Sequence, residues 1–211
     1  MIFKDIYEQQ SCAKLAEQIA NEVPICDEIK LAFANTPREI FMPMSDFAYK
    51  LHAMPISANQ WISSPITVAK MTAALEPVGA DSVLEIGCGS GYQAALLSNI
   101  IRRVFSLERI KELSSKAIKN LDSIGANVYV RYADGHNGFK NYAPYDRILL
   151  SAYTAKVPEV LFDQLEDGGI LVAPVGTADE QYITKYIKKN GKIEEIKLDS
   201  CVFVPMLTGL E

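Results

Sequence analysis

The stretch Val83-Leu84-Glu85-Ile86-Gly87-Cys88-Gly89-Ser90-Gly91, running straight into Tyr92-Gln93-Ala94-Ala95-Leu96-Leu97, decides the fold. An apolar strand carries Glu85 near its end, three glycines follow at alternate positions, and a helix-forming run begins at once. Glycines at 87, 89 and 91 allow a sharp bend and a close approach of backbone to ligand. About 20 residues on, a second apolar run, Val104-Phe105-Ser106-Leu107, ends in Glu108. A carboxylate at that strand end is placed to accept both hydroxyls of an adenosine ribose.

The glycine spacing selects the nucleotide. A dinucleotide fingerprint needs glycine at its first, third and sixth positions, and the sixth, counted from Gly87, is Tyr92. The motif has instead an acidic residue two places before the first glycine and a third glycine at position five. This resembles motif I of S-adenosylmethionine-dependent methyltransferases. That cofactor carries an ammonium group and no phosphate, so an acidic strand end suits it better than a bare helix dipole. Glu85, Gly87, Cys88, Gly89, Gly91, Glu108 and the adjacent Arg109 form the expected cofactor set. The third strand ends Tyr132-Ala133-Asp134-Gly135, where Asp134 can accept from the adenine amino group and Gly135 permits close approach.

Strands and helices alternate from residue 83 onward. Strands are expected at 83–86, 104–107, 128–132, 147–150 and 170–174, with helices at 92–100, 110–121 and 158–165 between them, the last ending at Asp167-Gly168-Gly169. That alternation is the signature of an α/β, doubly wound, Rossmann-like parallel sheet. The tail differs: runs at 182–187 and 193–198 flank Lys189-Asn190-Gly191, a hairpin-turn signal, and 201–204 reads as one more strand. An antiparallel end on a parallel sheet fits a class I methyltransferase fold.

The N-terminal part reads as a helical extension. Residues 5–23 place Cys12, Leu15, Ala16, Ile19 and Val23 on one helical face. A second helix starts at Asp27 and stops before Thr36-Pro37. Residues 37–64 are proline-punctuated and irregular, a length of loop that more often serves function than connection. Ser64 then caps a helix through Leu75 with Pro65 at its first position. The division expected is 1–77, helices and substrate loop, packed on a cofactor-binding core of 78–211 as one structural unit.

Composition bounds the rest. Of 211 residues, 49% are hydrophobic and 22% charged, the balance of a globular domain. A net charge of −5 argues against broad nucleic-acid affinity. No apolar stretch approaches a membrane span, and Lys4, Asp5 and Glu8 interrupt any signal-peptide pattern. The cysteines at 12, 26, 88 and 201 are scattered, with too few histidines for a zinc site, so reduced thiols of a cytoplasmic protein and no bound metal are expected. His52 and His136 read as hydrogen-bonding residues rather than bases. Cys88 is a small buried filler unless a helix N-terminus lowers its pKa. Trp61 is either a plug fastening the loop or a wall of the site.

Several stretches together resemble the protein-L-isoaspartate O-methyltransferase family. They are Thr36-Pro37-Arg38-Glu39-Ile40-Phe41-Met42-Pro43, Ala48-Tyr49 through Pro55-Ile56, and Gln60-Trp61-Ile62-Ser63-Ser64-Pro65. Asp134-Gly135, Ala143-Pro144-Tyr145-Asp146, Asp163-Gln164-Leu165 and Phe203-Val204-Pro205 follow in the family's order, so the resemblance covers residues 36–209. It implies that Ser63 positions an acceptor carboxylate beside the methyl donor, with Gln60, Trp61, Ile62 and Ser64 on the substrate side. It further implies L-isoaspartyl residues of damaged proteins and peptides as substrate and S-adenosylmethionine as cofactor of a repair enzyme; a monomer is expected. Leu51, Ser57, Asn59 and Trp61 depart from the family's residues. A same-fold methyltransferase with another acceptor (a different peptide carboxylate, a small molecule or RNA) therefore stays open, as does a module that binds the cofactor without catalysis.

Overall fold

The computed structural model describes residues 3–211. Helix α1 (Ile6–Glu22) begins where the Asp5 side chain accepts the Glu8 N–H at 2.8 Å. It buries Cys12, Leu15, Ala16 and Ile19 in one stripe, and α2 (Asp27–Ala34) buries Ile29, Ala32 and Phe33. The proline-rich segment is more ordered than its composition implies. It holds two 3-10 turns, Arg38–Phe41 and Ser45–Phe47, then a small hairpin of β1 (Met54–Pro55) and β2 (Trp61–Ile62). Ala58 and Asn59 turn that hairpin in the left-handed region, at φ 57° and 53°. As expected, α3 (Pro65–Leu75) starts with the Ser64 Oγ accepting the Thr67 N–H at 3.1 Å and with proline in its first turn.

Beyond α3 the chain alternates β3 (Ser82–Ile86), α4 (Tyr92–Ser98), β4 (Arg103–Glu108), α5 (Lys111–Ser123), β5 (Val128–Tyr132), β6 (Tyr145–Leu150), α6 (Glu159–Asp163) and β7 (Leu165–Gly176). A final hairpin adds β8 (Gln181–Lys189) and β9 (Lys192–Cys201). The seven strands form one sheet in the order β5-β4-β3-β6-β7-β8-β9, parallel through β7 and antiparallel for β8 and β9. The α/β fold with an antiparallel C-terminal end is the one the sequence pattern predicts.

Period-two alternation sends neighbouring residues of one strand into different cores. On β3, Leu84 and Ile86 join Phe105, Ile148, Leu150 and Leu161, whereas Val83 joins Met71, Leu75, Leu97 and Ile101. The N-terminal helices do not stand apart. Leu15, Ile19, Phe33, Phe41 and Ile62 share a third cluster with Tyr92, Leu96, Leu113 and Leu121 of α4 and α5. Among the described residues, no helix is long and apolar enough to cross a membrane.

Two expectations fail at the C-terminal half. The helix expected at 158–165 is only α6, a single turn, and Asp167-Gly168-Gly169 lies within β7 instead of ending a helix. Gln164 explains the difference. Its buried amide accepts the Phe139 N–H at 2.7 Å and donates to the Asn137 carbonyl at 2.9 Å, while its own carbonyl takes the Tyr145 N–H at 2.9 Å. These bonds draw Leu165 into register with Tyr145, and the glycines absorb the register shift that follows. The strand expected at 201–204 is also absent: Cys201 ends β9, and only Pro205 bridges on, to Tyr153. Beyond Cys201 the chain runs as a tail toward the ends of β4 and β5. At the hairpin tip, Asn190 and Gly191 adopt φ 50° and 72°, as the turn signal requires.

The strand starts, remote from the switch point described below, are tied by Asp146. Its Oδ2 accepts the Ser82 N–H at 2.9 Å, the Ser82 hydroxyl at 2.7 Å and the Asp81 N–H at 3.2 Å. Removing one acceptor of several backbone donors costs about 1–3 kcal/mol. Asp146→Ala is expected to lose stability of that order in urea unfolding while the sheet's far end keeps its ligand affinity.

Candidate active site

β4 lies on one side of β3 and β6 on the other, so the chain direction across the sheet reverses beside β3. Open α/β sheets bind ligands outside the carboxyl ends of their strands at such a switch point. A cavity lies there, open to solvent on one side, the empty space within it and at its mouth amounting to about 1040 Å³. The glycine loop, the end of β4, residues 60–63 and residues 203–207 surround it.

The glycine loop is held by β4. The Gly87 and Cys88 N–H groups both donate to the Leu107 carbonyl, at 2.9 and 3.1 Å. Glu108 then accepts the Gly89 N–H at 2.8 Å with one oxygen and the Ile110 N–H at 3.0 Å with the other. Each carboxylate oxygen offers two acceptor directions, so one on each is left for a ligand hydroxyl. The three glycines differ in what they face. An added Cβ at Gly89 would meet only the Ile56 side chain, at 3.8 Å, so this glycine opens on the cavity. At Gly91 it would press on Leu121 at 3.2 Å, so that glycine serves the packing of α4 on α5.

Glu85 is fully buried and lines the cavity. Its carboxyl accepts the Ser106 hydroxyl at 2.5 Å and the Ser151 hydroxyl at 3.2 Å. Burial outweighs these bonds and pushes its pKa up to about 8. The two serines were missed in the sequence, although Ser106 is an inward polar residue in an apolar strand, directly paired with Glu85 in the parallel register. Cys88 is buried in the loop, and burial raises its thiol pKa, which fits a filler and excludes an activated thiolate.

Asp134 lies outside the cavity lining, whereas Arg109 lies within it as expected, though its guanidinium is engaged elsewhere. Ala133 and Gly135 line the cavity, but the Asp134 carboxylate turns to the tail and to its own turn. One oxygen accepts the His136 N–H at 2.9 Å and faces the His136 ring at 3.0 Å, and the other accepts the Gly209 N–H at 2.7 Å. Arg109 donates to the Gly209 carbonyl at 3.0 Å and to the Glu211 carboxylate at 2.9 Å. The Glu211 backbone also pairs with Arg109 and Lys111, at 2.8 and 2.7 Å. Both residues thus fasten the tail whose residues 203–207 wall the cavity.

On the opposite side, Gln60, Trp61, Ile62 and Ser63 line the cavity. Trp61 is 54% exposed at its mouth, so it is a wall and not a buried plug. Ser64, expected beside them, lies outside the cavity because its hydroxyl caps α3. Capping by Ser64 leaves the Ser63 hydroxyl unconsumed. The Ser63 carbonyl accepts from the Arg38 guanidinium at 2.9 Å. Arg38 is wholly buried, and no sequence argument singled it out beyond its place in the resemblance. His52 meets Arg38 only through its backbone carbonyl. Among the described residues, no cluster of side chains suits a metal ion.

A doubly wound sheet with a glycine loop and buried carboxylates at adjacent strand ends is the arrangement of a class I methyltransferase. The profile of the protein-L-isoaspartate(D-aspartate) O-methyltransferase family matches residues 10–211, and the chain belongs to that family. It is 49% identical over 201 residues to protein-L-isoaspartate O-methyltransferase of Helicobacter pylori strain J99, across 93% of this chain and 96% of that one. A solved protein-L-isoaspartate O-methyltransferase superposes with a TM-score of 0.84 at 26% identity, over 91% of this chain and 64% of the other. A Plasmodium falciparum structure ascribed to the same activity, in complex with S-adenosyl-L-homocysteine, gives a TM-score of 0.81 over 93% of this chain and 98% of that one. Its identity of 22% speaks for the fold alone.

Gly135 gives the site a sharp steric test. A Cβ there would sit 2.2 Å from Ile86 Cγ2, and overpacking of this kind costs about 1–3 kcal/mol. Gly135→Ala is expected to lower the melting temperature. Combined with Ile86→Ala, its added cost should largely vanish; full additivity in the double-mutant cycle would contradict the contact.

Proposed function

We propose that this protein transfers a methyl group from S-adenosylmethionine to the free α-carboxylate of L-isoaspartyl residues in damaged proteins and peptides. The observation that carries the reading is the meeting of two sets of residues in one cavity. Glu85, the glycine loop and Glu108 form a cationic-nucleoside end, and residues 60–63 with 203–205 form an acceptor end. A wholly buried carboxyl, without a charged partner among its hydrogen bonds, is a fitting neighbour for the cofactor's ammonium. Glu108 suits the ribose hydroxyls, Gly89 gives room for the backbone to approach, and Ala133 with Gly135 suits the adenine. Cys88 contributes shape, Arg109 lines the cavity while also holding the tail, and Asp134 acts through the tail alone.

Bound S-adenosylmethionine supplies a methyl on a positively charged sulfur. The acceptor carboxylate is ionised at neutral pH, so the chain need not provide a base, which accords with the absence of a histidine from the cavity lining. What the residues must provide is alignment of the reacting atoms. Ser63, with its hydroxyl free at the cavity wall, suits holding the carboxylate, and the apolar Ile62, Phe203 and Val204 in the same lining suit the exclusion of water. The methyl ester then recyclises as the neighbouring backbone nitrogen attacks the ester carbonyl and methanol leaves, and hydrolysis of the succinimide returns part of the chain to aspartate. Residues 1–77 act as the acceptor-binding portion on the cofactor core 78–211, and the cavity is complete within one chain, which supports action as a monomer.

Two short peptides test the acceptor, identical except for L-isoaspartate or L-aspartate. S-adenosylhomocysteine release with the isoaspartyl peptide alone is the expected result; release with neither, or with a small molecule or RNA instead, would assign another acceptor. Ser63→Ala is expected to lower turnover about 10- to 100-fold, as loss of alignment does, with S-adenosylhomocysteine affinity unchanged.

Glu85 adds a pH dependence of known sign. Its raised pKa, about 8, means that the free protein holds the proton at neutral pH. A bound ammonium favours the ionised carboxylate, so binding expels that proton. Affinity for S-adenosylhomocysteine is therefore expected to rise with pH up to about 8 and then level, by at most about tenfold per unit. Calorimetry in two buffers of different ionisation enthalpy should show proton release near neutrality. A flat profile would remove Glu85 from the ammonium.

A further inference from the structure

Arg38 is the largest wholly buried side chain of the described residues. Burying a guanidinium costs several kcal/mol unless it is paired, and among the described residues none of its hydrogen bonds goes to a carboxylate. They go to backbone carbonyls: Ala48 at 2.8 Å, Ser63 at 2.9 Å and His52 at 3.4 Å. Its carbon centre lies 5.4 Å from the centroid of the Tyr92 ring, and its Nε has no partner. Burial lowers its pKa, but an arginine stays charged at any pH relevant to a folded protein.

The three carbonyls belong to widely separated points of the acceptor loop, and one is that of Ser63. Arg38 itself is anchored from the other side. Thr36, two residues earlier, donates its hydroxyl to the Ala32 carbonyl of α2 at 2.7 Å and accepts from Asn99, at the end of α4, at 3.2 Å. Phe41 packs on Tyr92 at 5.6 Å between ring centroids, and Tyr92 lines the cavity. The planar fork therefore joins a helix-anchored turn to the loop that carries the acceptor residues. A neutral amide could bridge carbonyls without the desolvation of an unpaired charge. The charge, in a region of low dielectric, acts over a longer distance than it would in water. It stands behind Ser63 and Tyr92, two residues of the cavity lining.

We propose that Arg38 is the positioning residue of the acceptor end: its fork fixes Ser63, and its uncompensated charge draws the substrate carboxylate into the cavity. The proposal rests on the carboxylate-methylating function given above. The two parts act on different steps. A fixed positive charge favours the bound carboxylate but not its neutralisation as the ester forms, so the charge lowers KM. The fork, by holding Ser63 in line, raises kcat.

Arg38→Lys and Arg38→Met separate them. Lysine keeps the charge and loses the planar fork; methionine loses both. Rates with the isoaspartyl peptide are expressed per S-adenosylhomocysteine-binding site titrated by calorimetry, so unfolded protein is not counted. Arg38→Lys is expected to lower kcat about tenfold with KM within about threefold of wild type. Arg38→Met should lower kcat similarly and raise KM about tenfold. S-adenosylhomocysteine affinity should stay within about twofold in both, because the Glu85 and Glu108 end is untouched. Wild-type kcat and KM in both variants would overturn the proposal. So would cofactor affinity that falls in step with turnover in Arg38→Lys, since Arg38 would then be only a folding requirement. Should Arg38→Met yield no binding sites, the kcat and KM of Arg38→Lys decide. A wild-type protein that binds S-adenosylhomocysteine but methylates no isoaspartyl peptide would overturn the functional reading and this proposal with it, whereas methylation by wild type confines any failure to Arg38.

Discussion

The hydrogen bonds from Gly89 and Ile110 to the two oxygens of Glu108 are the constraint on which the rest of the site depends. One side chain at the end of β4 fixes the turn after β3 and the residue that caps the start of α5. Because β3 and β4 are adjacent and parallel, their ends would lie side by side without it; what the carboxylate adds is the path of the loop between strand and helix. That path sets where α4 begins, and through Gly91 against Leu121 it sets how closely α4 meets α5. The acceptor loop packs on the same two helices, through Phe41, Ile62 and Tyr92. A ligand group bound by Glu108 is thus held by an element already braced for structural reasons.

The two ends of the cavity solve opposite electrostatic problems with buried charges. At one end, Glu85 lies among hydroxyls with no cation beside it, and its carboxyl responds by keeping its proton. At the other, Arg38 lies among carbonyls with no anion beside it and cannot respond in that way, since a guanidinium does not give up its proton. Each is a group that water would solvate better than the protein does. The opposite signs match a cation and an anion brought together.

The sheet was legible because its signals are local and repeated. Apolar runs ending in Glu85 and Glu108, a glycine loop and Asn190-Gly191 each act over a few residues, and each was placed correctly. The errors lie where distant bonds override local preference. Asp167-Gly168-Gly169 reads as a helix end, yet Gln164 is tied to residues 137 and 139 and pulls the chain into the sheet. The apolar residues 201–204 read as a strand, yet Cys201 ends β9 while Phe203 and Val204 wall the cavity. In the site, side-chain identity pointed to the right region but not always to the right partner. Asp134 and Arg109 sit where expected along the chain, and the tail that claims them is about 75 and 100 residues away, a separation at which no motif spacing is informative. Arg38 was hidden for another reason: carbonyl partners leave no pattern in a sequence.

Trp61 has a practical meaning. It is the chain's single tryptophan and stands half-exposed at the cavity mouth. Excited at the red edge, where the ten tyrosines do not absorb, the protein's emission therefore arises from one point on the cavity rim. A peptide that settles there strips water from the indole and moves that emission toward shorter wavelength, so the wild-type protein carries its own unlabelled optical reporter of acceptor occupancy.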